Sequence, residues 1–280
     1  YLHFPLTARY ARNLGVDCVS HTGKFHTSWG DFHSFKNKAA LEFECFRMLA
    51  LNCKCEIGDQ LHPTGRIGQH VYELIGSVYS QVEKKEPWCR GAKAISEIGV
   101  LTTEEFTGER VPVAAAGAVQ MLQEAGHQFE VLDTCSSFDD YRLLILPDGI
   151  RVTEAVAAKL EQYTEAGGKL IVTGLSGLNL EGSKFALKNL GVHLKDKPQL
   201  ADDGLPIGGR EVGGFLQYVD YILPGGVIGQ GLPPTEHAMY IKAVEVEAEP
   251  KAEVLATVVA SYFDRTWEHF CSHRQTPSSG

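Results

Sequence analysis

The sequence predicts an α/β protein in two parts, and three observations support this. Strand-like and helix-like segments alternate in both halves of the 280 residues. Such alternation is typical of parallel strands joined by right-handed helical crossovers. The pattern ends near Trp88 and then begins again. We therefore expect a first part of residues 1–90 and a second part of residues 91–280 that is incomplete at its C-terminus.

The first part contains two strand-helix units. Strands are predicted at "VDCVSHTG" (16–23), a short β-branched run that ends in Gly23, and at "KCEIGDQL" (54–61), the next strand of the alternation. Helices are predicted at residues 37–52 and 66–88, where apolar residues recur at spacings of three and four, and Pro87 is expected to close the second. A two-stranded parallel sheet leaves most of its surface open. We interpret the units as the C-terminal portion of a TIM (β/α)8 barrel.

The pattern of the second part predicts a doubly wound, flavodoxin-like domain. Its strands and helices are expected, in chain order, at residues 94–102 (strand), 111–126 (helix), 127–133 (strand), 141–148 (strand), 153–168 (helix) and 169–174 (strand). Thr153 is a plausible N-cap of the second helix. After a Gly/Pro-rich patch, residues 238–250 and 252–264 predict an antiparallel pair of strands.

Composition excludes several classes of partner. With 26 Lys and Arg against 35 Asp and Glu, the net charge is -9, so nucleic acid and anionic membranes are poor partners. No apolar run approaches the ~20 residues that a membrane span needs. Seven cysteines without metal-site spacing predict buried, reduced thiols. We expect a soluble, cytoplasmic protein without a metal or cofactor.

Two loops hold the candidate binding residues. If the first part is a barrel end, function lies where its strands terminate, at "SHTGKFHTSWGDF" (20–32) and "GDQLHPTG" (58–65). A sugar needs a flat aromatic face for its C–H patch, and carboxylates and imidazoles for its hydroxyl groups. The candidate substrate-binding residues are His26, Trp29, Asp31, Asp59 and His62. Structural alternatives stay open, because Trp29 could simply cover the barrel end and the aspartates could serve turns.

The same residues carry a resemblance to a known family. The matching positions are Ser28, Trp29, Gly30, Ile57, Gly58, Pro63, Gly65, Ile67, Ile75, Gly76 and Glu86. Their pattern resembles the end of the catalytic barrel of α-L-fucosidases. It is most similar to fucosidase-like glycoside hydrolases whose barrel precedes a β-galactosidase trimerisation-like domain. One departure is Asp31, where a tyrosine is common, so sugar specificity does not carry over directly.

The resemblance also implies where the catalytic groups lie. Retaining glycosidases use two carboxyl groups about 5 Å apart. The resemblance places the nucleophilic aspartate on an earlier barrel strand. The nucleophile and the acid/base are therefore expected upstream of Tyr1, and this chain is expected to contain no catalytic residue. Glu42, Glu44 and Glu56 are not expected to replace them, because the first two lie within a predicted helix and the third within a strand.

The second part resembles class I glutamine amidotransferase domains. Those enzymes carry a nucleophilic cysteine in a tight Gly-x-Cys-x-Gly turn after a strand. In "TGLSGL" the turn would contain Gly174, Ser176 and Gly177, with Leu178 in place of the second glycine. A serine there without an evident base is a weak nucleophile, so we expect a degenerate nucleophile elbow.

Three functions follow from this sequence. The leading hypothesis is a fragment of a retaining, α-L-fucosidase-like glycoside hydrolase that acts on a carbohydrate substrate and forms a homo-oligomer through a non-catalytic assembly domain. The first alternative is a catalytically silent carbohydrate-binding or oligomerisation module. The second is an amidohydrolase that uses Ser176 or Cys135.

Overall fold

A computed structural model describes residues 3–27, 29–195, 211–212, 215–216, 220–239 and 244–259. The chain divides into two compact units, one formed by Tyr1–Pro147 with Gly168–Ile171 and the other by Asp148–Gly167 with Val172–Gly280. The α-helices of the described residues are α1 (His3–Ala11), α2 (Lys38–Ala50), α3 (Gln69–Cys89), α4 (Glu104–Thr107), α5 (Val113–Glu124) and α6 (Glu154–Glu165). Their strands are β1 (Cys18–Gly23), β2 (Cys53–Gly58), β3 (Ile98–Leu101), β4 (Glu130–Leu132), β5 (Leu143–Leu146), β6 (Lys169–Val172), β7 (Val192–Leu194), β8 (Glu211–Val212), β9 (Phe215–Leu216), β10 (Asp220–Pro224), β11 (His237–Met239), β12 (Val246–Ala248) and β13 (Ala256–Val259).

The two strand-helix units predicted near the N-terminus are confirmed. β1 and β2 pair in parallel, from Cys18↔Cys53 to Gly23↔Gly58. Apolar residues of α2 and α3 form one buried cluster, because their helical spacing places them on a single stripe. Asn37 caps α2 by accepting a hydrogen bond from the Ala40 amide. The helix α3 ends at Cys89, beyond the predicted stop at Pro87. A proline in the last turn costs few backbone hydrogen bonds, and Arg90 N still donates to Glu86 O.

The helix α1 is an element that the sequence did not predict. It has only nine residues and includes Pro5 in its first turn, so its periodic signal is weak. Leu6 is buried in a cluster with residues of α5, β3 and β4. The Arg9 guanidinium lies 4.2 Å from the ring centroid of Phe129. Tertiary packing therefore forms this helix, which joins the predicted first part to the beginning of the second.

The central sheet of the first unit has the order β4-β3-β5-β6. β3 pairs in parallel with β4 on one side and β5 on the other. Val100, Leu101, Leu144 and Leu146 are fully buried, as continuous apolar strands of a covered parallel sheet require. The predicted parallel α/β organisation is thus confirmed here.

The second unit begins with α6, and the predicted cap of this helix is confirmed, because the Thr153 hydroxyl accepts from the Val156 amide. Its strands are antiparallel, and one prediction about them is wrong. β12 pairs with β7, and β13 pairs with β10, which also pairs with β11. The predicted runs 238–250 and 252–264 therefore do not pair with each other within their described residues. Residues 240–243 and 260–264 of those runs lie outside the described part. Adjacent strand patterns do not fix pairing, because a partner distant in sequence can compete for the same edge.

No helix in the described part of the chain is both long and apolar enough to cross a bilayer.

Candidate functional site

The carboxyl ends of β1 and β2 lie side by side. Their parallel register pairs Gly23 with Gly58 at the end of the ladder. The loops that follow, residues 24–37 and 59–68, therefore leave the sheet at the same edge. In parallel α/β folds this edge is where binding groups gather. These two loops and the strand ends beneath them form the candidate site.

The two faces of this strand pair have different roles. Cys55 and Ile57 pack against the buried cluster of α2 and α3. Side chains alternate along a strand, so the intervening residues point to the opposite face. His21 and Glu56 are the last residues with side chains on that face before Gly23 and Gly58, and both are exposed. A polar pair thus lies at the carboxyl end of the face without helices.

Trp29 lies against these strand ends. This residue is 49 % exposed. Its indole is nearly parallel to the His21 imidazole, with 5.5 Å between centroids and 13° between planes, and makes an edge contact with the buried Phe25 at 4.8 Å. A Cβ built on Gly58 would lie only 2.7 Å from Trp29 Cη2 and 2.6 Å from His21 Cε1. Both rings can occupy this position only because residue 58 has no side chain.

Lys24 holds the first loop in place. Its ammonium is buried and donates to the carbonyl oxygens of Phe32 at 2.6 Å and Ser34 at 3.1 Å. It also forms an ion pair with Asp59 Oδ1 at 3.6 Å, and the two side chains are 4 % and 10 % exposed. One buried cation therefore links both loops of the site.

Asp31 and His26 belong to the first loop and make local contacts. Ser34 Oγ donates to the Asp31 carbonyl and carboxylate, and accepts from His26 N at 2.9 Å. His26 Nδ1 lies 3.3 Å from Thr27 Oγ1, and its ring is exposed. Ser28, which belongs to the matching Ser-Trp-Gly motif, lies outside the described residues. Asp31 is thus committed to shaping the loop, whereas the His26 ring faces solvent.

Asp59 and His62 belong to the second loop. Asp59 Oδ1 accepts from Gln60 N at 2.7 Å and faces Lys24. The His62 ring is exposed, and its Nδ1 atom lies 3.1 Å from Thr64 Oγ1. The centroids of the His62 and His33 rings are 6.3 Å apart. The structure brings Asp59 to Lys24 and His62 to His33. Trp29 contacts His21, which was not in the predicted set.

His21 is one of the polar groups that the sequence places in the first loop, but it is not in the predicted site, and its pairing with Glu56 was not predicted. His21 Nδ1 lies 3.1 Å from Glu56 Oε2, and the two residues are opposite each other in the strand register. Strand alternation could have identified them, because His21 and Glu56 share a face distinct from that of Cys55 and Ile57.

The remaining carboxylates near the site are paired. Lys36 Nζ binds both oxygens of Glu44, which also accepts from the Thr22 hydroxyl. Glu42 forms an i,i+4 ion pair with Lys38. Across the described residues, no group of three or more His, Cys, Asp or Glu side chains is arranged to hold a metal ion.

The predicted elbow turn in the second unit is a buried structural turn. Gly174 and Gly177 have positive φ values of 55° and 84°. Ser176 is fully buried, and its hydroxyl accepts from the Ile150 amide at 3.1 Å. Asn52 is the single non-glycine residue with positive φ in the described part, so Ser176 lacks the strained backbone of a nucleophile elbow. No helix follows the turn, because the buried Leu178 instead forms a β-bridge with Phe185.

The cysteines are free thiols, and one differs from expectation. Six cysteines fall among the described residues, and none of the six forms a disulfide. Cys45 and Cys53 are buried, whereas Cys135 is exposed, so the prediction of burial is wrong at Cys135. It lies in a surface turn whose backbone is bound by the Asp133 carboxylate. Cys271 is outside the described part.

Comparison with known proteins places this site in context. The profile of the β-galactosidase trimerisation domain matches residues 120–196. No curated protein matches the sequence. Among solved structures, α-L-fucosidase isoenzyme 2 from Paenibacillus thiaminolyticus is 36% identical, with a TM-score of 0.82 over 100% of this chain. The chain spans 40% of the length of that enzyme.

Two β-galactosidases have a similar fold. The enzyme from Bacillus circulans sp. alkalophilus is 16% identical with a TM-score of 0.70, and the cold-adapted enzyme from Rahnella sp. R3 is 14% identical with a TM-score of 0.71. Each match covers 94% of this chain and 42% of the other. The chain is therefore a mixed α/β relative of the glycoside hydrolases that carries a match to the β-galactosidase trimerisation domain.

Proposed function

We propose that this chain belongs to a retaining, α-L-fucosidase-like glycoside hydrolase and forms one wall of its sugar pocket. Residues 1–90 would contribute the last strand-helix units of the catalytic barrel, and residues 91–280 an assembly domain. The 36% identity to a bacterial α-L-fucosidase over the whole chain supports this assignment. The resemblance assigns the catalytic carboxyl pair to residues upstream of Tyr1, so this chain would bind and orient the sugar.

The half-exposed Trp29 at the joined ends of β1 and β2 is the observation that carries the proposal. At this position the exposed part of the ring offers a sugar an apolar face for its C–H groups. Imidazoles of His26 and His62 are exposed on the neighbouring loops and can bind hydroxyl groups. Asp31 and Asp59 would act by shaping these loops and by offering their remaining carboxylate oxygens.

Replacing Trp29 tests the proposal. In the natural protein, we expect Trp29→Ala to lower kcat/KM for an aryl α-L-fucoside by about tenfold or more, because an aromatic contact and its buried area are lost. Trp88→Ala is the matched control, since Trp88 is 86 % exposed at the end of α3, away from the strand ends. Unchanged kinetics in Trp29→Ala would contradict a role in sugar binding.

We also propose that the protein forms homo-oligomers through its assembly domain. The match of residues 120–196 to a trimerisation domain supports this. The order β4-β3-β5-β6 corresponds to 2-1-3-4 in chain order, as at the start of a flavodoxin-like sheet, which supports a flavodoxin-like, amidotransferase-like domain. Light scattering of the purified protein tests the oligomer, and a purely monomeric species would refute it. The free thiols favour a reducing compartment such as the cytoplasm.

The amidohydrolase alternative has little support in the geometry. A fully buried hydroxyl that already accepts a backbone hydrogen bond is a poor nucleophile, as is the case for Ser176. Cys135 is exposed in a surface turn, where its backbone N–H donates to Asp133 Oδ1. A glutaminase assay of the natural protein beside Ser176→Ala and Cys135→Ala variants tests this alternative directly.

A further inference from the structure

The polar pair formed by His21 and Glu56 lies exposed at the joined ends of β1 and β2. Both side chains are exposed, at 42 % and 60 %, so their ion pair contributes little to stability. They lie on the face of β1 and β2 that α2 and α3 do not cover. They are also the last side chains on that face before the strands end in glycine. This is the position from which a parallel strand presents groups to a ligand.

The Glu56 carboxylate fixes the orientation of the imidazole. Its Oε2 atom, 3.1 Å from His21 Nδ1, favours the tautomer in which Nδ1 carries the proton. The neutral ring then presents Nε2 as an acceptor. Within the described residues, Nε2 has no hydrogen-bond partner. A histidine held in this way is set to accept a hydrogen bond from a hydroxyl group.

Trp29 lies next to this acceptor. The ring centroids of His21 and Trp29 are 5.5 Å apart although the planes differ by only 13°. Nearly parallel rings at this centroid distance are typical of an offset stack, in which part of each ring face stays uncovered. The absence of a side chain at Gly58 allows both rings to lie over the end of β2. An apolar face and an oriented acceptor therefore adjoin, which is the combination that a pyranose ring with hydroxyl groups requires.

We propose that His21, oriented by Glu56, is a substrate-binding residue that accepts a hydrogen bond from one hydroxyl group of the sugar held against Trp29. This inference rests on the proposed glycosidase function and deepens it. Glu56 is a positioning residue, because it acts through His21. Neither residue takes part in bond cleavage.

The experiment measures inhibition of the natural protein by free L-fucose, with an aryl α-L-fucoside as the substrate. Because one hydrogen bond is lost, we expect His21→Ala to raise the inhibition constant about tenfold. Glu56→Ala should raise it less, since the ring remains but loses its fixed tautomer. His21→Gln should recover part of the affinity, because its amide reaches the position of Nε2. Lys54→Met is the control, because Lys54 lies on the same face two residues before Glu56 and its ammonium pairs with Asp17 rather than with His21 or Glu56.

Monodeoxy analogues of fucose separate a direct contact from general damage. A direct contact predicts that one analogue inhibits wild type and His21→Ala equally, while the others lose affinity in the variant. Equal weakening of all analogues, or an inhibition constant for fucose within twofold of wild type, would overturn the inference while leaving the glycosidase function intact. Absence of both hydrolysis and inhibition in the wild type would overturn the proposed function and this inference with it.

Discussion

Lys24→Met probes whether one buried cation holds the two loops of the site together. Methionine keeps an unbranched apolar stem of similar length but removes the ammonium group. The variant therefore loses the bonds to the Phe32 and Ser34 carbonyls and the ion pair with Asp59. It also leaves the Asp59 carboxylate, which is 10 % exposed, without its counter-charge.

The magnitude follows from these contacts. A hydrogen bond from a charged donor contributes about 1.5–3 kcal/mol, so two of them set an upper range of about 3–6 kcal/mol. Breaking one partner of a buried ion pair costs about 3–5 kcal/mol. Water can reach part of the opened loop and replace some of these bonds. We expect a loss of about 3–5 kcal/mol, either in global unfolding or in local opening of the loop.

Two measurements distinguish these outcomes. Denaturant unfolding reports global stability, and amide hydrogen exchange at Lys36, whose N–H donates to the Lys24 carbonyl, reports loop opening. Lys54→Met is the matched control, because its ion pair with Asp17 is exposed at 65 % and 84 % and should contribute about 0–1 kcal/mol. If Lys24→Met matches this control in both measurements, the proposed role of Lys24 is wrong.

Three further predictions concern the same unit. Gly58→Ala should displace His21 and Trp29, destabilise the protein by about 1–3 kcal/mol and weaken sugar binding. The control is Gly76→Ala in α3, where the space around the residue is open, and thermal unfolding should show this variant to be as stable as the wild type or more stable. Arg12→Met should lower the free energy of unfolding by about 3–5 kcal/mol, because the buried Glu130 carboxylate is left without its cation. Arg142→Met removes an exposed pair with Glu97 and should lower it by less than about 1 kcal/mol. Equal losses in the two variants would refute the argument. The hydrogen bond to Asp133 raises the pKa of Tyr10 to about 12. An unfolded tyrosine ionises near pH 10, so the stabilisation from this bond should be present below about pH 10 and be lost as the pH rises towards about 12. Stability measured against pH in Tyr10→Phe should lack this loss.

Helical spacing in the sequence was sufficient to locate α2, α3, α5 and α6. A helix that packs one face against a core repeats its apolar residues every three or four positions, and this signal is local. Caps are local too, which explains why Thr153 was identified correctly. By contrast, α1 depends on burial of Leu6 among residues more than ninety positions away, and no local pattern reports such contacts.

The sequence by itself determined the alternation of strands and helices, the positions of the two loops and the aromatic and charged residues within them. Only the tertiary structure decided which of those groups meet. Lys24 is buried between both loops and Ser176 is enclosed, although both are polar residues of a kind usually found at a surface. Trp29 stays half exposed and lies beside His21. The physical reason is that periodicity reports which face of an element is buried, whereas strand register and loop conformation set which side chains from distant segments share that space.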